Sequence, residues 1–169
     1  YFTYGWMDKF FGDCKDDYLK MHFEDAAIFV PYGCMVDEFQ HIVYANPDMT
    51  PQERKDVWAK LEKEYRPHLD YDNDPFFANG GYWQRQSHIF QSPFYYIDYV
   101  LASICAMQYK VQMDENFEAA WNNYLKLCKL SAKDFYVNVI REAGLNSPFE
   151  DGCIEELVGK LEKKVRFDD

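Results

Sequence analysis

Gln84-Arg85-Gln86-Ser87-His88-Ile89-Phe90-Gln91-Ser92-Pro93-Phe94-Tyr95-Tyr96-Ile97-Asp98-Tyr99 sets one histidine and three tyrosines on either side of a proline. Pro93 fits the first turn of a helix, where its missing N–H would be unpaired anyway, and Ser92 before it is placed to cap that turn. The pattern predicts a helix from Pro93 to about Met113, with His88 on a loop or short turn at its mouth. Tyr95 and Tyr99 share a face of that helix, and Tyr96 neighbours Tyr99. Imidazole and phenol donors then converge near a helix N-terminus, which favours negative charge. The plainer reading is an aromatic cluster that packs, its hydroxyls bonded to backbone.

Outward from this stretch the chain reads as helices. Upstream, Tyr18, Met21, Ala26 and Phe29 approximate a helical stripe over Lys15 to Val30. Pro31-Tyr32-Gly33 is expected to interrupt or kink it, before a second helix with Val36, Phe39 and Val43 inward. Asn46-Pro47-Asp48 ends that one. Thr50-Pro51-Gln52-Glu53 is a capping box with proline in the first turn, and Val57, Leu61 and Tyr65 follow on one face. His68 to Gly81 is loop, rich in Asp, Asn and Gly, and a loop of that length is often functional.

Downstream, Asp114 is expected to cap a helix carrying Phe117, Trp121, Tyr124 and Leu125. Ser131 to Asp134 starts another, with Phe135, Val139 and Ile140 inward and Gly144 as its stop. Pro148 and Asp151 open the last, where Ile154, Leu157, Val158, Leu161 and Val165 recur at helical spacing. The predicted fold class is all-α, a bundle of about six to eight helices read as one domain or fragment over 1–169.

Composition supports a packed domain. Hydrophobic residues make up 48% and aromatics 19% of the 169 residues, too rich for disorder. Eighteen basic against 29 acidic residues leave a formal charge of −11. Such a surface repels phosphate backbones and anionic lipid, which argues against nucleic acid or a membrane as partner. No long apolar span is present. Cys14, Cys34, Cys105, Cys128 and Cys153 form no CxxC pair, and free, buried thiols in a reducing cytoplasm are the simplest reading. Tyr1 stands where an initiating methionine would, and the aromatic run Tyr1 to Phe11 is expected to need a partner segment ahead of it.

Other chemistry is sparse. Glu38 and His41 make an E-x-x-H, and Asp37 lies a turn before His41, but the second E-x-x-H of a di-metal bundle site is absent. These three read as an acid–histidine group on a half-buried face, or as residues that orient another group. Cys105 and Cys128 look like core thiols, His68 looks solvated, and Gly80-Gly81 lacks the spacing of a phosphate loop. There is no H-E-x-x-H, and no cluster of His, Cys and acid completes a metal site.

Two stretches carry a family resemblance. Val30-Pro31-Tyr32-Gly33-Cys34-Met35-Val36-Asp37-Glu38-Phe39-Gln40-His41 resembles the segment after the zinc site of oligoendopeptidase F-type metallopeptidases. Trp83 to Phe90, with Pro93 to Tyr99, is similar to the same family's substrate-side motif. The resemblance implies an all-helical fold related to thimet oligopeptidase, with a deep cleft. It implies one zinc held by H-E-x-x-H and a further glutamate, all ahead of Tyr1, so that this chain would be the C-terminal part of the catalytic domain. His88 with one or two of Tyr95, Tyr96 and Tyr99 would then bind the substrate backbone and stabilise the oxyanion. Arg85 and Tyr32 would contact substrate, and Asp37, Glu38 and His41 would support neighbouring groups. The implied partners are short peptides and the rest of the catalytic domain. By itself the chain is expected neither to bind catalytic zinc nor to cleave peptides. Gln91-Ser92-Pro93 stands where thimet-type relatives carry a glycine-rich run, which leaves the choice of tyrosine open. The rival reading is a non-enzymatic helical interaction module docking through Tyr1 to Phe11.

Overall fold

The computed structural model describes residues 1–162. Among these, eight α-helices and no strand are found: α1 (Asp8–Phe11), α2 (Lys15–Ala45), α3 (Pro51–Tyr65), α4 (Ser87–Gln91), α5 (Ile97–Glu115), α6 (Phe117–Leu130), α7 (Tyr136–Glu142) and α8 (Cys153–Glu162). The all-α expectation is met. Among the described residues, no helix is long and apolar enough to cross a membrane. Val165, expected on the last helix, lies outside the described residues.

The chain divides into two compact units, Met21–Val100 and Tyr1–Lys20 with Leu101 onward. In the first, the core is Met35, Val36 and Phe39 of α2, Trp58 and Leu61 of α3, and Trp83, Ile89 and Tyr96. Phe39 meets Trp58 edge-on at 5.1 Å between ring centres. Rings of this size remove most apolar area per residue from water, and so dominate the stability of a small core.

Pro31 does not interrupt the helix, and α2 runs through it as one helix of 31 residues. Proline inside a helix costs about 3 kcal/mol through its missing N–H and its clash with the preceding turn. Burial of Gly33, Met35, Val36, Phe39 and Gln40 in the next two turns offsets that cost. Gly33 is needed there, because a Cβ on it would stand 2.2 Å from Cγ2 of Val100. Earlier in α2 the expected stripe fails at Met21, which is exposed.

α3 starts as its sequence dictates. The Thr50 hydroxyl accepts from Glu53 N–H at 3.3 Å, and the Glu53 carboxylate accepts from Thr50 N–H at 2.6 Å. From Arg66 to Gly81 the chain is turns, as predicted. This loop is tied back to α3 by Tyr71, whose hydroxyl donates to buried Glu62 at 2.6 Å.

In the second unit, Cys105, Tyr109, Ile140 and Leu145 form the core. Phe2 packs on it and meets Trp121 and Tyr124 at 5.3 and 5.1 Å, so the aromatic start is partly used within its own unit. Several expectations are corrected here. Asn116, not Asp114, caps α6 through Ala119 N–H, while Asp114 pairs with Lys110. Phe135 is 83% exposed, because it precedes α7 as its cap residue rather than lying on its inner face. Phe117, Trp121, Leu125 and Val158 are also exposed. Gly144 ends α7 as expected, at φ +79, with Leu145 N–H returning to the Ile140 carbonyl at 2.9 Å. All five cysteines are free, but Cys14 and Cys128 are exposed rather than buried.

Candidate functional site

The helix after Pro93 starts later than its sequence predicts. Ser92 ends α4, its N–H returning to the His88 carbonyl, and does not cap α5. Phe94 takes a left-handed conformation at φ +63, so α5 begins only at Ile97. A left-handed phenylalanine is strained unless its surroundings hold it. The Phe94 N–H donates at 2.8 Å to the side-chain oxygen of Gln40, which is fully buried on α2. Gln40 spends its amide N–H on the Val36 carbonyl at 3.3 Å. Tyr44 adds a second tie, its hydroxyl donating to the Ile89 carbonyl at 2.8 Å.

The sharp turn folds the tyrosines back onto α4. His88 lies in α4, half-buried, rather than on a loop. Its ring centre is 5.0 Å from Tyr96, 5.7 Å from Tyr99 and 6.4 Å from Tyr95. Tyr99 meets Tyr95 at 5.2 Å and Tyr96 at 5.5 Å. The structure therefore brings all four expected residues together. Tyr96 is buried, while Tyr95 and Tyr99 open to solvent. Burial pushes the Tyr96 phenol above its ordinary value, and a hydrogen bond with Tyr95 raises Tyr99. Both stay protonated at neutral pH, and so remain hydrogen-bond donors.

Tyr32 stands behind His88. Its ring is 5.9 Å from Tyr96, and its hydroxyl donates to the side-chain oxygen of Gln86 at 2.8 Å. The Gln86 amide nitrogen lies 2.8 Å from Nδ1 of His88. Sequence reading passed over Gln86, although it sits two residues before the histidine in the quoted stretch. Arg85 is exposed and lays its guanidinium over Tyr82 at 4.7 Å.

The acid–histidine group of α2 splits. Asp37 pairs with His41 at 3.3 Å, and the His41 ring lies 4.9 Å from Phe94. Glu38 turns instead to Tyr65 of α3, accepting its hydroxyl at 2.6 Å. That bond pushes Tyr65 up to about 12. A cavity of about 350 Å³ lies between α3 and the following loop, lined by Glu62, Arg66 and Tyr71 among others. None of His88, Tyr95, Tyr96 or Tyr99 lines it.

Among the described residues, no group of three or more His, Cys, Asp or Glu side chains comes together to hold a metal. What His88, Tyr95, Tyr96 and Tyr99 assemble is a cluster of hydrogen-bonding side chains packed ring against ring.

Solved structures match the chain over nearly its whole length. An oligoendopeptidase F is 48% identical with a TM-score of 0.92, the match covering 96% of this chain and 29% of that one. PZ peptidase A with inhibitor 2 is 48% identical with a TM-score of 0.93, over the same shares. An oligoendopeptidase F from Bacillus anthracis str. Ames is 37% identical with a TM-score of 0.79, covering 96% of this chain and 26% of its own. The chain thus spans under a third of the length of the structures it matches. The sequence matches no family model and no curated protein. By sequence identity and backbone together, this chain belongs to the oligoendopeptidase F family.

Proposed function

We propose that this chain is the substrate-side, C-terminal part of the catalytic domain of a zinc oligoendopeptidase that hydrolyses short peptides. The observation that carries the reading is the convergence of His88 with Tyr95, Tyr96 and Tyr99, all within 6.4 Å between ring centres. An amide carbonyl gains negative charge as water adds to it, and preorganised donors outside bulk water are worth most at that moment. His88 and the exposed phenols of Tyr95 and Tyr99 are the donors on offer, while buried Tyr96 serves as their floor. Tyr32 supports His88 from behind, and Arg85 is placed at the exposed edge for substrate contact. Asp37 and His41 brace the Phe94 turn, and Glu38 ties α2 to α3.

The zinc of the intact enzyme takes its ligands from outside this chain, and without them the chain cleaves nothing. When bound, that metal supplies Lewis acidity and an activated water. The neighbours are more than three times longer than this chain, which supports assigning the missing ligands to the rest of the protein. The free cysteines favour a reducing, cytoplasmic setting. Kinetics of the intact enzyme test the reading. Tyr95→Phe and Tyr99→Phe, made separately, lower kcat at whichever phenol faces the oxyanion, by about 10²-fold for a lost oxyanion donor. Unchanged kcat in both would remove the tyrosines from the chemistry.

A further inference from the structure

Gln86 joins two groups that no backbone bond connects. Its side-chain oxygen accepts from the Tyr32 hydroxyl at 2.8 Å, and its amide nitrogen stands 2.8 Å from Nδ1 of His88. The backbone of Gln86 is fixed on both sides. Its N–H returns to the Trp83 carbonyl at 3.0 Å, and its own carbonyl accepts from Ile89 N–H at 3.1 Å. The side chain thus hangs from a rigid junction between the 3-10 turn Tyr82–Arg85 and α4. We propose that Gln86 is a positioning residue that holds neutral His88 with its proton on Nε2, so that the ring presents an N–H, not a lone pair, to the substrate. The inference rests on His88 being the substrate-side donor proposed above.

The direction of the relay follows from Tyr32. Among the described residues, the Gln86 oxygen is the one acceptor shown for the Tyr32 hydroxyl proton. Turning the amide over would leave that half-buried O–H facing two amide N–H groups, with its own proton unpaired. Burial also pushes the Tyr32 phenol above its ordinary value, so it has a proton to give throughout the neutral range. With the oxygen committed to Tyr32, the nitrogen faces His88, and Nδ1 must accept. In a neutral imidazole the remaining proton then sits on Nε2. The groups packed against the ring are Gln86, Tyr95, Tyr96 and Tyr99, none of them a charged acid or base at neutral pH. A carboxylate at position 86 would do the reverse, accepting from both neighbours and drawing the proton to Nδ1.

The test is nitrogen NMR of the intact enzyme carrying ¹⁵N-labelled histidine, with the His88 signals identified by their loss in His88→Ala. Recorded in the alkaline range, where an imidazole carries a single proton, the expected result is Nδ1 bare and Nε2 protonated. Gln86→Glu is expected to move the proton to Nδ1. It also adds an alkaline limb to the kcat profile that the parent lacks, falling about tenfold per pH unit once the imidazolium titrates. A parent ring protonated on Nδ1, or a Gln86→Glu enzyme with the parent's tautomer and profile, overturns the proposal. The parent spectrum decides it even if the variant does not fold. Full kcat in His88→Ala would defeat the functional reading instead, and leaves the tautomer measurement to stand or fall by itself.

Discussion

The backbone N–H of Phe94 donates to the side-chain oxygen of Gln40 across 54 residues of chain, and this bond fixes where α5 begins. With it, the chain turns left-handed at Phe94 and the phenols fall over His88. Gln40→Leu keeps the volume and removes the acceptor. The expected cost is about 1–3 kcal/mol for the unpaired N–H and the released turn. Thermal unfolding of the intact protein checks the stability, and a parallel fall in kcat shows that the turn positions the site. No change in either would deprive the bond of that role.

Gly33→Ala is informative in its sign. In an open helix, alanine is the better residue by about 1 kcal/mol. Here the new Cβ would lie 2.2 Å from Cγ2 of Val100, so α2 must shift from its contact. Overpacking of this kind costs about 1–3 kcal/mol. The double variant Gly33→Ala with Val100→Ala removes the clashing methyl and should recover part of that loss. A thermodynamic cycle over the four proteins measures the coupling; simple additivity would show that the two helices have room to spare.

The capping box at α3 predicts a pH dependence. The Glu53 carboxyl is held below its ordinary value, first by the Thr50 N–H and then by its hydroxyl. A carboxyl with a depressed folded pKa stabilises fully above its unfolded pKa, and that contribution is lost as pH falls through the folded value. Thr50→Ala is expected to cost about 1 kcal/mol at neutral pH. The gap in melting temperature between parent and variant should narrow in acid as Glu53 protonates and the hydroxyl–carboxylate bond is lost, leaving the part due to the Glu53 N–H cap. A constant gap would mean that the bond from the Thr50 hydroxyl to the carboxylate contributes nothing.

These sites also mark what the sequence makes legible. The Thr50 box, the Gly144 stop and the loop before Tyr82 are local chemistry, complete within a few residues, and the structure has them where their letters put them. The clustering of His88 with the tyrosines was also readable, because they lie within twelve positions of one another. The turn at Phe94 was not, since its partner Gln40 sits on another helix. Pro31 reads as a break because its local cost is plain, while the burial that outweighs it is tertiary. Phe135 and Val158 fit a helical period yet stay exposed, because periodicity shows which residues share a face and not whether anything covers it. Gln86 escaped notice because a glutamine carries no signature until its two neighbours are in place.

The proposed role of His88 as a substrate-side donor of a peptidase stands or falls with His88→Ala in the intact enzyme. Steady-state kinetics on a short internally quenched peptide, with thermal unfolding alongside, is the measurement. For a substrate-side donor the expected result is a kcat lowered by about 10²- to 10³-fold, a KM changed little, and a melting temperature close to the parent's. A parent-like kcat, or a loss of activity matched by loss of fold, would contradict it and return His88 to the packing of an aromatic core.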